Sequence, residues 1–233
     1  MKTTSNPAGG AFLAACLAGC WFLEPATAQP PAASRTGFVR LVNAVAQGQG
    51  KLQLVIDGVA MNPDGYKLGD VTGGIGLAPG AHEVIMRQAG VDEAITSIHV
   101  VTDSTTTLIP FVEQVPASDA KPAHWDMRIL RLKQMDPVTT RSATFVSVSQ
   151  TPEHEVEIRS PNGKWTQVFV KRLAIARTPI HYPEGYVPLR SKTTRLPSIP
   201  VGKPGNYVVV LYDDANGNMQ AVTLQDYKYL SAD

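Results

Sequence analysis

The chain has 233 residues, 43% hydrophobic and 7% aromatic, with a formal net charge of +1. That length holds one large or two small domains with ample apolar content for a core. The near-neutral balance implies no global electrostatic partner.

Residues 1–28 read as an export signal and are set aside before any fold argument. Lys2 gives a short basic start, and Ala11 to Leu23 is an apolar run too short to span a bilayer. Ala26-Thr27-Ala28 places small residues at the −3 and −1 positions of a cleavage before Gln29. A second reading competes: Leu17-Ala18-Gly19-Cys20 resembles a bacterial lipobox, in which Cys20 becomes a lipidated N-terminus. Both readings place the mature protein outside the cytoplasm, periplasmic or extracellular, free or anchored through Cys20. Cys16 and Cys20 are the only cysteines. The mature chain therefore has no disulfide and must hold together by core burial. No later apolar run reaches membrane-spanning length, so no membrane span is expected.

Residues 29–36 (QPPAASRT) are a linker expected to be disordered. The first β-sandwich is expected over 37–115. It opens with FVRLVNA, a Gly/Gln turn and LQLVIDG, where Leu52, Leu54 and Ile56 alternate with Gln53, Val55 and Asp57. Period-two patterning closed by Asp57-Gly58 is a hairpin signal. Turn chemistry at MNPDG and at Ala78-Pro79-Gly80 separates further alternating runs, HEVIMRQ, EAITSIHVV and TTTLIPFV. Short strands at regular spacing signal a sandwich or barrel. Residues 116–124, with two prolines, read as an interdomain linker.

A second sandwich is expected over 125–233. Its strands are read at MRILRL, ATFVSVS, HEVEIR, TQVFVKRLAI, NYVVVLY, 219–224 and 227–230. NYVVVLY is the most continuous apolar run and reads as a central strand. YPEGYVPLRSKTTR (Tyr182 to Arg195) reads as a long loop. The halves share a degenerate motif. The opening of the first parallels ATFVSVSQ and HEVEIRSPNG, and LAPGAHEVIM parallels KPGNYVVVLY. The expected fold is therefore all-β, two tandem Ig-like antiparallel sandwiches, related by duplication or by generic β patterning.

The FVRLVNA opening followed by IDG and PGAHEV resembles two families of exported β-sandwich proteins. One comprises uncharacterised extracellular bacterial domains with RVVNA and VDG openings. The other is the family of periplasmic accessory proteins of alginate O-acetylation. The resemblance spans roughly 35–230 in outline. Its motifs are structural, and no functional residue is carried over. The second family implies a non-enzymatic partner of a polysaccharide-acetylating machine.

Chemistry-bearing motifs are absent. There is no G-x-S-x-G elbow. His82-Glu83 and His154-Glu155 are strand neighbours that point to opposite faces, and neither continues as H-E-x-x-H. Asp213 to Asn218 (DDANGN) misses the calcium-loop spacing, and Asn216-Gly217 fits a type I′ turn better. Gly69 to Gly80 lacks the helix a phosphate cradle needs. No catalytic residue, metal or cofactor is expected, and nucleic acid is not an expected partner.

One stretch stands above background. Between Arg159 and Lys203 the only acid is Glu184. The bases are Arg159, Lys164, Lys171, Arg172, Arg177, Arg190, Lys192, Arg195 and Lys203, with Trp165, Tyr182 and Tyr186 interleaved. The bland reading is a solvated rim attracted to a slightly acidic first domain. The functional reading is a basic, aromatic surface for an acidic protein or polymer. The expected function is an exported, non-enzymatic adaptor of the bacterial envelope, supporting polysaccharide modification. The alternative is a carbohydrate-binding module that recognises an acidic polysaccharide.

Overall fold

The computed structural model describes residues 35–119, 121–136, 138–192 and 194–226. The export segment, Cys20 and the last expected strand lie outside the described residues.

Among the described residues sixteen strands follow one another: β1 (Gly37–Leu41), β2 (Gln49–Ile56), β3 (Val59–Ala60), β4 (Ile75–Leu77), β5 (Gly80–Ala89), β6 (Ala94–Val100), β7 (Thr105–Val115) and β8 (His124–Lys133), then β9 (Arg141–Ser147), β10 (Glu153–Arg159), β11 (Trp165–Lys171), β12 (Ile175–Pro179), β13 (Gly185–Ser191), β14 (Thr194–Val201), β15 (Gly205–Asp213) and β16 (Met219–Asp226). They form four sheets of four strands, ordered β4-β1-β7-β8, β3-β2-β5-β6, β12-β9-β15-β16 and β11-β10-β13-β14. Adding eight to each strand of the first two sheets gives the last two. The fold is thus two tandem β-sandwiches with one topology. Each contains a parallel pair, β1 with β7 and β9 with β15, inside otherwise antiparallel sheets.

This topology corrects half of the sequence-level repeat. KPGNYVVVLY leads into β15, whose counterpart is β7, whereas LAPGAHEVIM leads into β5, the counterpart of β13. The match rested on a Pro-Gly turn, which many strands share. The expected linker is also moved. Pro116 to Ala123 lies inside the β7–β8 hairpin, and β8 pairs with β7 from Val115–His124 to Thr106–Lys133. The first sandwich therefore ends at Lys133, and the chain crosses to the second through 134–140.

The burial pattern explains why NYVVVLY loses its alternation. Tyr207, Val209 and Leu211 face the core of the second sandwich with Phe145, Val156 and Leu189. Val208, Val210 and Tyr212 face the other way, into a third core shared with Val42, Ala44, Ile109, Phe111 and Leu132 of the first sandwich. The first sandwich keeps its own core around Leu41, Leu54, Met86 and Leu108. Three apolar layers thus separate four sheets, and the two middle sheets are covered on both faces. A strand buried on both faces needs a continuous apolar run. Each such side chain is worth about 1.5–3 kcal/mol of burial.

Polar contacts tie the shared layer. Arg40, 2% exposed, donates from Nη1 to the Gln225 carbonyl at 2.9 Å and from Nε and Nη2 to Thr107 Oγ1 at 3.2 and 3.0 Å. Its Nη2 lies 3.5 Å from Asp226 Oδ1. Asp226 Oδ2 accepts from the Met135 amide at 2.8 Å, pinning the crossover. Burial pushes the Asp226 carboxyl up, and this amide and Arg40 oppose the shift. Gly69 sits against Tyr212 Oη so closely that a Cβ would be 2.6 Å from the hydroxyl.

The turns follow local chemistry. Asp57 and Gly58 have φ of 49° and 79°, as a two-residue I′ hairpin requires. At Asp214–Asn218 only Gly217 has positive φ, 79°. The Gly217 amide bonds the Asp214 carbonyl and the Asp214 amide bonds the Asn218 carbonyl, which makes a three-residue loop rather than the expected I′ turn.

Candidate functional site

The basic and aromatic residues fall on several elements, and the register separates them. In β10 and β11, Val156, Ile158, Val168 and Val170 point into the core. The opposite phase faces solvent. There Arg159 is paired with Trp165, Glu157 with Gln167, Glu155 with Phe169, and Glu153 with Lys171. On the other side of β10, Glu157 pairs with Arg190, and Arg190 in turn pairs with Arg195. One sheet face therefore carries Arg159, Trp165, Phe169, Lys171, Arg190 and Arg195. Tyr186 extends it along β13, opposite Pro200, and is 74% exposed.

The centre of this face is internally ordered. Arg190 Nε is 2.5 Å from Glu157 Oε2. Its guanidinium carbon lies 4.2 Å from the Trp165 ring centroid, and that of Arg159 lies 5.8 Å away. The hydrogen bond from Arg190 holds the Glu157 carboxyl below its ordinary range, and the same bond raises Arg190. Gln167 Nε2 donates to Glu155 Oε1 at 2.7 Å. A planar cation over an indole is a stable pairing, so the Trp165 ring is occupied by the protein's own arginines.

Three expected residues, Lys164, Tyr182 and Lys192, sit near this face or at its ends. Lys164 is exposed in the β10–β11 turn, where its carbonyl accepts from the Ser160 amide at 2.7 Å. Tyr182 is half-buried against the second core and lines a cavity of about 200 Å³ with Arg159 and His181, so it is no stacking platform. Lys192 occupies the β13–β14 turn with φ of 50°. The expected loop from Tyr182 to Arg195 is in fact mostly this hairpin, Gly185–Ser191 with Thr194–Val201. Of its two prolines, Pro183 precedes β13, and Pro188 lies on β13 where the pairing with β14 shifts register between Val187 and Leu189, an irregularity that accommodates a missing N–H.

Two arginines leave the face altogether. Arg172 turns into the junction of the sandwiches. Its Nε donates to the Ser149 carbonyl at 2.9 Å, its Nη2 to Glu113 Oε1 at 2.7 Å, and its guanidinium lies 5.6 Å from the Phe111 ring centroid. The bland expectation, attraction between the two domains, describes Arg172. Arg177 is on β12, in a different sheet, and lines a hollow with Arg131 and Lys133.

Phe169, 56% exposed, was missed, although its signal is present. In TQVFVK it occupies the solvent phase between two inward valines. The DDANGN stretch spends its carboxylate on its own loop. Asp214 Oδ1 accepts from the Asn216 and Asn218 amides at 2.8 and 2.9 Å, which lowers its pKa. Among the described residues no group of three or more His, Cys, Asp or Glu side chains is placed to hold a metal ion. Among them, too, no helix is long and apolar enough to cross a membrane.

No protein-family model and no curated protein matches the chain. Among solved structures, one described as the Bacillus anthracis TIE protein is similar over 83% of this chain and 32% of that one, at 13% identity and a TM-score of 0.24. This chain thus spans about a third of that protein's length. A score that low is no basis for a shared fold or a shared role.

Proposed function

We propose that the protein is an exported, non-enzymatic adaptor of the bacterial envelope, which holds a protein partner on the outer sheet of its second sandwich. The observation that carries this reading is the composition of that face. Phe169 and Tyr186 stand exposed beside the Arg190–Trp165–Glu157 cluster and Arg195. Aromatic side chains and arginine are the residues enriched in protein interfaces. Carboxylates of Glu155 and Glu157 interleave with them, which suits a partner of mixed charge. Support for polysaccharide modification comes from the resemblance to the alginate accessory family alone.

A second reading, a module for acidic polysaccharide, is favoured by one feature, the open ring of Tyr186. It is weakened by Trp165, whose ring is covered by arginine. The test is affinity capture of the tagged protein from its own envelope fraction, beside a Phe169→Ala, Tyr186→Ala, Arg195→Glu variant with an unchanged thermal melt. A stoichiometric partner lost in the variant is the expected result. A capture with no enriched protein, together with binding of the native protein on a polysaccharide array, replaces the adaptor with the glycan reading.

A further inference from the structure

The open edge of β8 is unlike the other features of the surface. Among the described residues, β8 has β7 as its one sheet neighbour. Near its start, the Asp92 amide bonds the Trp125 carbonyl and the Met127 amide bonds the Asp92 carbonyl. Near its end, the Gln134 amide bonds Thr105 of β7. Antiparallel pairing alternates the two directions. The odd residues of β8 therefore turn their backbone groups away from β7. Beyond Met127 these are Ile129, Arg131 and Lys133, and no backbone hydrogen bond closes that edge among the described residues.

Two hollows flank this edge. One, about 350 Å³, is lined by Ile98, His99 and Val101 with Arg131 and Lys133. The other, about 570 Å³, lies toward β12 and is lined by Met135, Val138, Ile175 and Arg177 with the same two cations. Val101 and Ile175 are more than half exposed. Arg131 contacts Thr96 Oγ1. None of Arg131, Lys133 and Arg177 has an ion-pair partner among the described residues, in contrast to Arg190, Arg172 and Arg40. Among the described residues, Asp136 is the one carboxylate on the rim of either hollow.

We propose that this edge accepts an extended acidic segment of a protein partner as an additional strand on β8. Side chains of an added strand alternate between its two faces, and here each face has a hollow waiting. Carboxylates meet Arg131 and Lys133 on one side and Arg177 on the other, while aliphatic side chains cover Val101 and Ile175. Charge complementarity selects the occupant. A second copy of this chain would bring the same cations together, and unpaired basic residues are a common guard against edge-to-edge self-pairing. A polysaccharide would lack a backbone of amides for the edge, and among the described residues neither hollow is lined by Phe, Tyr or Trp. The proposal rests on the adaptor reading for the existence of a partner, but it uses a different surface.

The test uses the mature protein and a fluorescein-labelled peptide of alternating Glu and Val, about eight residues long, an ordinary strand length. Fluorescence anisotropy is compared among this peptide, its Lys/Val counterpart, the Glu/Val peptide N-methylated at alternate residues, and an oligomer of alginate. Binding of the Glu/Val peptide alone is expected. An Arg131→Glu, Lys133→Glu, Arg177→Glu variant should weaken it about tenfold or more. The Phe169, Tyr186, Arg195 variant should bind it as the native protein does, so loss of the outer-face reading leaves this result intact. Hydrogen exchange should slow at 129–133 when the peptide binds. Equal binding of the N-methylated peptide overturns strand addition. Preferential binding of alginate, unchanged affinity in the charge-reversed variant, or no peptide binding overturns the acidic-segment proposal.

Discussion

The two sandwiches share one strand order and differ in what they show to solvent. The outer sheet of the first sandwich, β3-β2-β5-β6, presents Val55, Ile85, Ile95, Glu83, Arg87 and His99. The corresponding sheet of the second presents Trp165, Phe169 and Tyr186 among arginines and glutamates. The fold demands inward valines and leucines in both, and it is indifferent to the other phase. Residues that a topology does not require are where two copies of it diverge, so the second outer face and the basic β8 edge are where activity is sought.

The inner sheets diverge in another way. Inward Val39 and Leu41 of β1 answer to Ala143 and Phe145 of β9. On the opposite phase, Arg40 answers to Thr144. The first sandwich sends a guanidinium across the shared layer, and the second offers Asp226 and the Gln225 carbonyl to receive it.

Breaking the shared layer should have the largest effect. Val209 and Val210 are both fully buried, one facing the second core and one facing the first sandwich. Val210→Asp should cost more than about 4 kcal/mol, as Val209→Asp should, because each buries an unpaired charge. Urea unfolding measures this. A near-neutral Val210→Asp would mean that the sandwiches fold as separate bodies.

The next effect concerns the unequal pair. Arg40→Ala leaves the Asp226 carboxyl buried without its cation and should cost about 3–5 kcal/mol. Because the lost guanidinium also opposed the burial shift on Asp226, the variant should regain part of its stability on acidification, as a raised carboxyl pKa is favourable once protonated. Urea midpoints near pH 4.5 and pH 7 read the difference. An equal loss at both pH values would remove Asp226 from the account.

The smallest expected effect distinguishes the first hairpins of the two halves. His82 Nδ1 is 2.5 Å from Asp57 Oδ2, and His82 Nε2 is 2.7 Å from the Ala78 carbonyl. The bond to Asp57 raises His82, and the bond from His82 lowers Asp57. The His82 contribution is present below its ordinary value of 6.5 and is lost as pH rises through its raised folded value. That of Asp57 is present above 3.8 and is lost as pH falls through its depressed folded value. His82→Gln should therefore lower Tm at pH 5.5 and change it little at pH 9. The corresponding turn of the second sandwich relies on the Asn162 side chain accepting from the Lys164 amide. Asn162→Ala should show no such pH dependence.

Alternation in LQLVID and HEVIM was enough to place strands, and Asp57-Gly58 was enough to place a hairpin. Assigning strands to sheets was beyond local pattern. β8 reads as the start of a second domain because prolines precede it, and only its ten-residue pairing with β7 shows otherwise. The candidate face was legible as composition, not as geometry. The count of cations contains nothing to say that Arg190 is neutralised by Glu157, that Arg172 turns inward to Glu113, or that Arg177 lies with Arg131 and Lys133 on another sheet. Those facts depend on strand register and on contacts between residues far apart in sequence.

The β7–β8 hairpin also decides how the molecule comes apart. Its loop is exposed at Ser118 and Asp119, the natural place for an endoprotease that cuts before aspartate, whereas the Lys121-Pro122 bond resists trypsin. A cut there severs the chain between two sandwiches by sequence, yet it leaves β8 on the later fragment and its partner β7 on the earlier one. The later fragment would still contribute an edge strand to the earlier one's sheet and cover its inner face. Such a nicked protein should migrate as one particle until denaturant is added, which makes the site a natural place to split the gene into two complementing halves.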